Sequence, residues 1–409
     1  MRELIESVRL VQLSEQFLYT LDESLAEHTR IVGHLSHAED LGHEHGHAGT
    51  EHSVSALKAA ASHIEHGTHN ANLSTKVDGG VSIVAGHHPH SGKPFVGYKG
   101  AIGKIGTEHE TKLCYSHADC DKHFGDKPYL VDKMKTALDH AHKVLPKHGI
   151  YQGDMLFDKS GKKDEGHHVS FTPNTITYAA KKNSAEGEKI KKAQLGISFH
   201  TGYKQREDGS LQSHPVDHDE MKHHDDVYHL STSNDTGKAH FSEQEKAKFH
   251  THIGEAEKLH KAGGNEMYKH IEPVKDHIGT YINKTIRTGD KPSLEGLKQH
   301  ISEHGEKEAS KVKTEKSKTA KIGKSAELNT HIDAAHEHVS NYFKMHHHLQ
   351  QAKDTLVKTL DNADHPLEHT IDGKKTAPEG YVFSHQGAPV KLVNRKEFSR
   401  ANLNREFNK

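Results

Sequence analysis

The chain has 409 residues, enough for two or three domains with a real core, yet it is strongly polar: hydrophobic residues make up 32% and the mean hydropathy is −0.86. Lys and Arg (55) nearly cancel Asp and Glu (57), so global charge gives no attraction to nucleic acid and only local patches could supply it. The 44 histidines make that balance labile, because full protonation would carry the formal charge from −2 to +42 as pH falls through ~6.5.

Two cysteines, Cys114 and Cys120, make no disulfide framework and fit a reducing compartment. The start, Met1-Arg2-Glu3-Leu4-Ile5-Glu6, lacks the apolar run of a signal peptide. No stretch approaches the ~18 apolar residues of a membrane span. These features predict a soluble protein of the cytoplasm with no membrane partner.

In chain order, apolar residues from Leu4 to Leu25 recur at three- and four-residue steps and predict a helix over 3–30. The segment His34 to His47 is polar and punctuated by glycine. A second helix is expected after it, with Ser53 as N-cap, Val54, Leu57, Ala61 and Ile64 on one face, and Gly67 as stop. Strands are predicted at 81–85 and 94–100, a helix at 128–146 opened by Pro128, and strands at 150–157, 169–171, 175–178 and 195–199. From about 206 the chain turns His-, Lys- and Glu-rich and helical. Ser242 and Glu245 form a capping box, and Leu328, Ile332, Ala335, Val339, Tyr342, Leu349, Leu356 and Leu360 form a heptad-like stripe on one long helix. His346 and Lys353 occupy the two remaining positions of that seam. Strand character returns at 379–383 and 389–393. The expected class is α+β: a core of antiparallel sheets with helices over 1–205 (1–70 being helical) and 371–409, interrupted by a helical insertion at 206–370.

The stretch with the clearest chemistry is Ser74-Thr75-Lys76-Val77-Asp78-Gly79-Gly80. It sets a lysine at a strand end beside a carboxylate, with glycines that let a ligand approach the backbone. Such a lysine is a nucleophile once burial or neighbouring cations lower its pKa. In order after it come Tyr98-Lys99-Gly100, Gly153-Asp154-Met155, Leu195-Gly196-Ile197-Ser198-Phe199, Glu379-Gly380-Tyr381-Val382 and Val390-Lys391-Leu392-Val393. The series resembles the motifs of the covalent nucleotidyltransferases, the ATP-dependent RNA and DNA ligases and the capping guanylyltransferases. The phage RNA ligases are the nearest in motif form. The core also resembles a group of tailed-phage proteins that share the His34-x-x-His37-x-Glu39-Asp40-Leu41 entry and the ending Lys391-Leu392-Val393-Asn394-Arg395-Lys396-Glu397-Phe398-Ser399, which would place the chain in the host cytoplasm.

The resemblance implies a ligase-type adenylation core and a reaction. Lys76 would attack the α-phosphate of ATP to give a lysyl-AMP, and AMP would pass to a polynucleotide 5′-phosphate, RNA being favoured over DNA. Asp78 and Lys391 would share the catalytic role with Lys76. Gly79, Lys99, Asp154, Phe199, Glu379 and Lys391 would bind the nucleotide, with Phe199 against the base and Asp154 on the ribose. Glu379 would hold Mg²⁺ or Mn²⁺. Asp154 is shorter than the Glu usual at its position, and Val393 stands where a second lysine is usual. Since 18 residues follow Lys391, the insertion is expected to engage the polynucleotide in place of a C-terminal domain. The rival expectations are a capping-type or other nucleotidyl transferase on the same core, and a phage structural or interaction protein that keeps the fold without the reaction.

Cys114-x-x-His117-x-x-Cys120 is ligand-capable, but its spacing is not that of a common zinc motif. The clusters His43/His45/His47, His87-His88-Pro89-His90, His223-His224 and His346-His347-His348 read as solvated polar positions able to chelate adventitious metal. The lysine-rich run 311–324 reads as a solvated linker between helices, with the tracking of phosphates as the sharper alternative.

Overall fold

The structure, a computed structural model, describes residues 35–66, 73–206, 211–233, 239–363, 365–386 and 388–395. The helix expected over 3–30 and the stop at Gly67 lie outside them. Helices run at Leu41–His66 (α1), His117–Phe124 (α2), Pro128–His140 (α3), Ala185–Lys192 (α4), Glu243–Ile271 (α5), Lys275–Thr288 (α6), Leu294–Ser310 (α7), Glu315–Ala334 (α8) and His336–Leu360 (α9). Strands run at Leu73–Lys76 (β1), Ser82–His87 (β2), Pro94–Tyr98 (β3), Leu113–Cys114 (β4), Ile150–Asp158 (β5), Lys162–Glu165 (β6), His168–Phe171 (β7), Thr177–Lys181 (β8), Leu195–Gln205 (β9), Leu211–Pro215 (β10), Val227–His229 (β11), Glu368–Ile371 (β12), Lys374–Lys375 (β13), Gly380–His385 (β14) and Ala388–Leu392 (β15). The class is mixed α and β with antiparallel sheets. Among the described residues no helix is long and apolar enough to cross a membrane.

The chain divides into two compact units. Of the described residues, the first holds 35, 73–233 and 363–389, and the second holds 36–66, 239–362 and 390–395. This differs from the boundaries expected at 205/206 and 370/371. Residues 211–233 stay with the sheets because β10 and β11 both pair with β9. Helix α1 joins the helical unit because its polar residues are hydrogen-bonded there.

The sheet unit is built on a seven-stranded sheet in the order β10-β9-β5-β2-β3-β4, with β11 added parallel to β9. Strand β2 is buried on both faces, as its unbroken apolar run requires. Ile83 and Ala85 face the core under α3, whose Leu130, Val131, Met134 and Ala137 recur at helical spacing. Val84 faces the other way, onto Phe95, Ile102 and Ile105. Each such side chain contributes about 1.5–3 kcal/mol on burial. The helix expected over 128–146 stops at His140 and tightens into a 3-10 turn, Ala141–Lys143. Cys114 and Cys120 lie in the same apolar core, and His117 turns to Asp139 at 2.8 Å, so the three do not converge on a metal. A second sheet runs β13-β12-β8-β7-β6.

The third sheet runs β1-β14-β15, and the chain passes from the first unit to the second within β15. Strand β1 is antiparallel to β14, from Leu73 opposite Phe383 to Lys76 opposite Gly380. On its other edge the Thr75 N–H donates to the Thr232 carbonyl at 2.7 Å.

In the helical unit, α5 starts at the expected capping box of Ser242 and Glu245. Helix α1 starts at Leu41, so it takes in part of the polar, glycine-punctuated segment up to His47, and Ser53 is buried in mid-helix instead of capping it. The heptad stripe lies on two helices: the chain breaks at Ala335 (φ −101°, ψ 18°) between α8 and α9. The lysine-rich run is likewise mostly helix, with Thr314 capping α8 through the Ser317 N–H at 3.2 Å. Its lysines belong to a solvated helical face, and only 311–314 connect.

Candidate active site

Lys76 is the last residue of β1. Its register partner is Gly380, which brings the preceding Glu379 alongside although 303 residues separate the two in sequence. The Lys76 ammonium donates to Glu379 Oε2 in a charge-assisted bond. The side chains are 28% and 14% exposed, so the pair is held by protein yet reachable from solvent.

Beyond Lys76 the chain crosses close over β5. The Gly80 N–H donates to the Met155 carbonyl and the Met155 N–H to the Val81 carbonyl, both at 2.9 Å. A Cβ on Gly79 would sit 2.2 Å from Asp154 Cβ, so this position has no room for any side chain. That close approach is the physical reason for glycine after Asp78, and it sets Lys76 and Asp154 in one neighbourhood.

Asp154 lies on β5, paired with Ser82 on one side and Ser198 on the other. It shares its face with His200, whose Nε2 is 3.9 Å from Asp154 Oδ2. Crowding by protein lowers the His200 pKa, Asp154 pulls it back up, and the Lys76 charge lowers it further. Burial pushes the Tyr178 hydroxyl well above its usual range, and the negative charges of Asp78, Glu379 and Asp154 add to the effect. The site therefore gathers one primary amine, two carboxylates and an imidazole where the end of β1 meets a face of the seven-stranded sheet.

Of the residues expected from sequence, Lys76, Asp78, Gly79, Asp154 and Glu379 come together here. Asp78, however, is 3% exposed with both oxygens engaged. Oδ1 accepts from the Asn174 amide at 2.8 Å, and Oδ2 accepts from the Thr175 and Ile176 N–H groups at 2.6 and 2.7 Å. Its own N–H donates to the Tyr178 hydroxyl at 2.7 Å. Asp78 is buried and ties down the 174–178 turn, a structural part in place of the catalytic role expected for it. Phe199 is also a correction. Along β9, Leu195, Ile197 and Phe199 point into the core under α3, while Ser198 and His200 take the Asp154 face. The Phe199 ring is fully buried near Tyr151 and His229, so it cannot stack on a base. Lys99 opens a 3-10 turn directly after Tyr98, the partner of Ile83, and so lies level with Ser82 and Asp154. Lys391 sits on the part of β15 that belongs to the helical unit, where its N–H donates to the Ser36 carbonyl at 2.8 Å. His200 was not anticipated, although its place two residues after Ser198 on a strand was the available signal.

A second cluster, also unanticipated, lies in the helical unit. Lys353 donates to Glu39 Oε1 at 2.6 Å, and neither side chain has any exposure. Arg395 donates to Asp40 Oδ2 at 2.8 Å and to Asn283 Oδ1 at 2.5 Å. His346 Nε2 meets Asp40 Oδ1 at 2.9 Å, and His43 Nδ1 meets the Tyr342 hydroxyl at 2.9 Å. Burial alone would raise Asp40, but Arg395 and His346 outweigh it and hold its carboxyl well below the usual range. Glu39 is lowered likewise, chiefly by Lys353 against the effect of burial. Burial pushes His43 down to about 4 and His37 to about 3. These histidines are thus interior groups, not the solvated positions expected for His43 and His346. The sequence elements His37-x-Glu39-Asp40 and Asn394-Arg395 are ends of one buried network.

No curated protein and no solved structure matches the chain. One family model matches residues 33–407, and on that match the chain belongs to this family, described as a family of unknown function (DUF6267).

Proposed function

We propose that this protein is a nucleotidyltransferase of the ligase type that works through a covalent Lys76–AMP intermediate. The observation that carries the reading is the antiparallel register that sets Lys76 against Glu379-Gly380, with Asp154 packed under Gly79. To act as a nucleophile Lys76 must first give up a proton. Glu379 is placed to take one proton from Nζ, after which Nζ forms a bond to the α-phosphorus of ATP, the bond from phosphorus to the pyrophosphate oxygen breaks, and the second proton that nitrogen sheds as the phosphoramidate forms passes to solvent with the first. Glu379 and Asp154 are hard oxygen donors on one site, and they would hold Mg²⁺ or Mn²⁺, which supplies charge neutralisation on the phosphates. In the second half-reaction an oxygen of a polynucleotide 5′-phosphate forms the new bond to phosphorus, and the Lys76 N–P bond breaks. RNA is the favoured acceptor on motif form. Lys99, in the 3-10 turn that follows β3, would supply a cation to the phosphates.

The burial of Phe199 and the engagement of both Asp78 oxygens favour one second reading, a core that keeps the architecture without transferring nucleotide. Intact-mass spectrometry after incubation with Mg²⁺ and ATP or GTP separates the two. The expected result is one nucleotidyl adduct, absent from Lys76→Ala and from Lys76→Arg, whose guanidinium stays protonated, and much reduced in Glu379→Ala. An adduct that persists in Lys76→Ala, or no adduct from a folded wild type with either nucleotide, overturns the proposal.

A further inference from the structure

We infer that His47, Glu51 and His260 of the helical unit form a zinc site, with solvent completing the coordination. One ligand-capable atom from each lies within 4.8 Å of the other two. His47 and Glu51 are one helical turn apart on α1, with His47 Nδ1 3.5 Å from Glu51 Oε2. Zinc bound to nitrogen at ~2.0–2.1 Å and oxygen at ~2.0–2.2 Å in a tetrahedron spaces its ligand atoms by about 3.3–3.5 Å. The pair on α1 is already at that spacing, and small side-chain rotations close the third.

Two backbone breaks build the arrangement. Helix α1 kinks at Gly46 (φ 67°), directly before His47, and α5 kinks at Gly264 (φ 48°), between His260 and Tyr268. The first kink packs close to the helix turn after the second, since a Cβ on Gly46 would lie 3.9 Å from Tyr268 Cβ. The second kink folds Tyr268 back toward His260, whose Nδ1 is 2.6 Å from the Tyr268 hydroxyl. That hydroxyl donates to Thr50 Oγ1 at 2.8 Å, so it accepts from His260 Nδ1–H and leaves Nε2 with a bare lone pair. A second hydrogen bond that fixes the tautomer and aims the ring is the usual support of a metal-bound histidine. The His47 and His260 rings are 4.2 Å apart at 44°, a contact that repels when both are protonated and that a shared cation turns to use. Glu51 is 42% exposed, which leaves the remaining coordination position open to water. Two imidazoles and one carboxylate with an open position are a donor set suited to Zn²⁺.

Metal-free protein should be titrated with Zn²⁺ against a chromophoric chelator, and with Co²⁺ for its visible absorption. One stoichiometric site above the background of the other histidines is expected in the wild type, together with a Co²⁺ band of low coordination number. His260→Ala and Glu51→Ala should lose that site, while His109→Ala, at an exposed histidine, should keep it. Tyr268→Phe should keep the Co²⁺ band and weaken affinity about 10–100-fold. Should His260→Ala lose its helical circular dichroism, Glu51→Ala decides, because that side chain is at the surface. Weak multi-equivalent binding in the wild type, or the same stoichiometric site in folded variants lacking a ligand, overturns the inference.

Discussion

Lys353→Met tests whether the buried network holds the helical unit together. The pair it breaks has no solvent exposure and a separation of 2.6 Å. At an effective dielectric of ~20 the direct attraction is roughly 6 kcal/mol. Part of it offsets the cost of burying the ammonium, which the variant no longer bears. What remains is a Glu39 carboxylate with Arg395 at 3.7 Å as its nearest cation, and Arg395 is already engaged by Asp40. Breaking one side of such a pair costs about 3–5 kcal/mol, and the shared guanidinium points to the lower half of that range. Replacing both partners, Glu39→Leu with Lys353→Met, should recover a large part of the loss, because the buried Glu39 carboxylate is no longer stranded and only the partly exposed Asp354, 3.4 Å from the Lys353 ammonium, still loses that cation. Urea unfolding followed by helical circular dichroism, on the single variants and the double, gives the coupling. The chain has two units, so the transition of the helical one must be resolved before a free energy is taken. A cost under about 1 kcal/mol for Lys353→Met, or a double variant as unstable as the sum of the singles, refutes the reasoning.

Acid should weaken the protein well before its carboxylates titrate. Burial holds His37, His43 and His369 near 3, 4 and 4, so below the ordinary ~6.5 each takes up a proton only on unfolding. Stability is therefore complete above ~6.5 and falls by about 1.4 kcal/mol per pH unit for each imidazole as pH drops toward 4. Equal urea midpoints at pH 7 and 5 would contradict this. At the site, Gly79→Ala forces a Cβ into Asp154 and should cost about 1–3 kcal/mol in the sheet unit together with the adduct, whereas Gly100→Ala, which meets open space, should change neither. Thermal melts and intact mass on both variants check it.

The parts of the fold that were legible from sequence have local causes. Pro128 and the apolar spacing after it mark α3, Ser242 with Glu245 marks the start of α5, and the runs at 81–85, 150–157 and 195–199 mark the central strands. The two polar positions in the heptad seam, His346 and Lys353, were visible as irregularities. Their explanation lay some 300 residues upstream in Asp40 and Glu39, which no periodicity links to them. The break at Ala335 is invisible for the same kind of reason, since alanine is a good helix former and only tertiary packing ends the helix there. At the site, the motif order grouped Lys76, Asp154 and Glu379, which the fold also brings close together. It could not say that Phe199 points to the core, because strand parity depends on register, and one residue reverses the face. Nor could it say that Asp78 is consumed by the 174–178 turn, a contact that only the folded chain creates.

The pairing of β1 with β14 also bears on how the molecule is made. Strand β1 emerges from the ribosome early, but its hydrogen-bonding partner and Glu379 are encoded 303 residues later. At about 5–20 residues per second, Lys76 waits roughly 15–60 s for that strand to be synthesised. Over that interval the seven-stranded sheet can close on residues already translated, and β1 can lean on the Thr232–Ser233 segment. The Lys76 amine thus meets its carboxylate only after residue 379 has been made, and pairing across so long a separation is intrinsically slow.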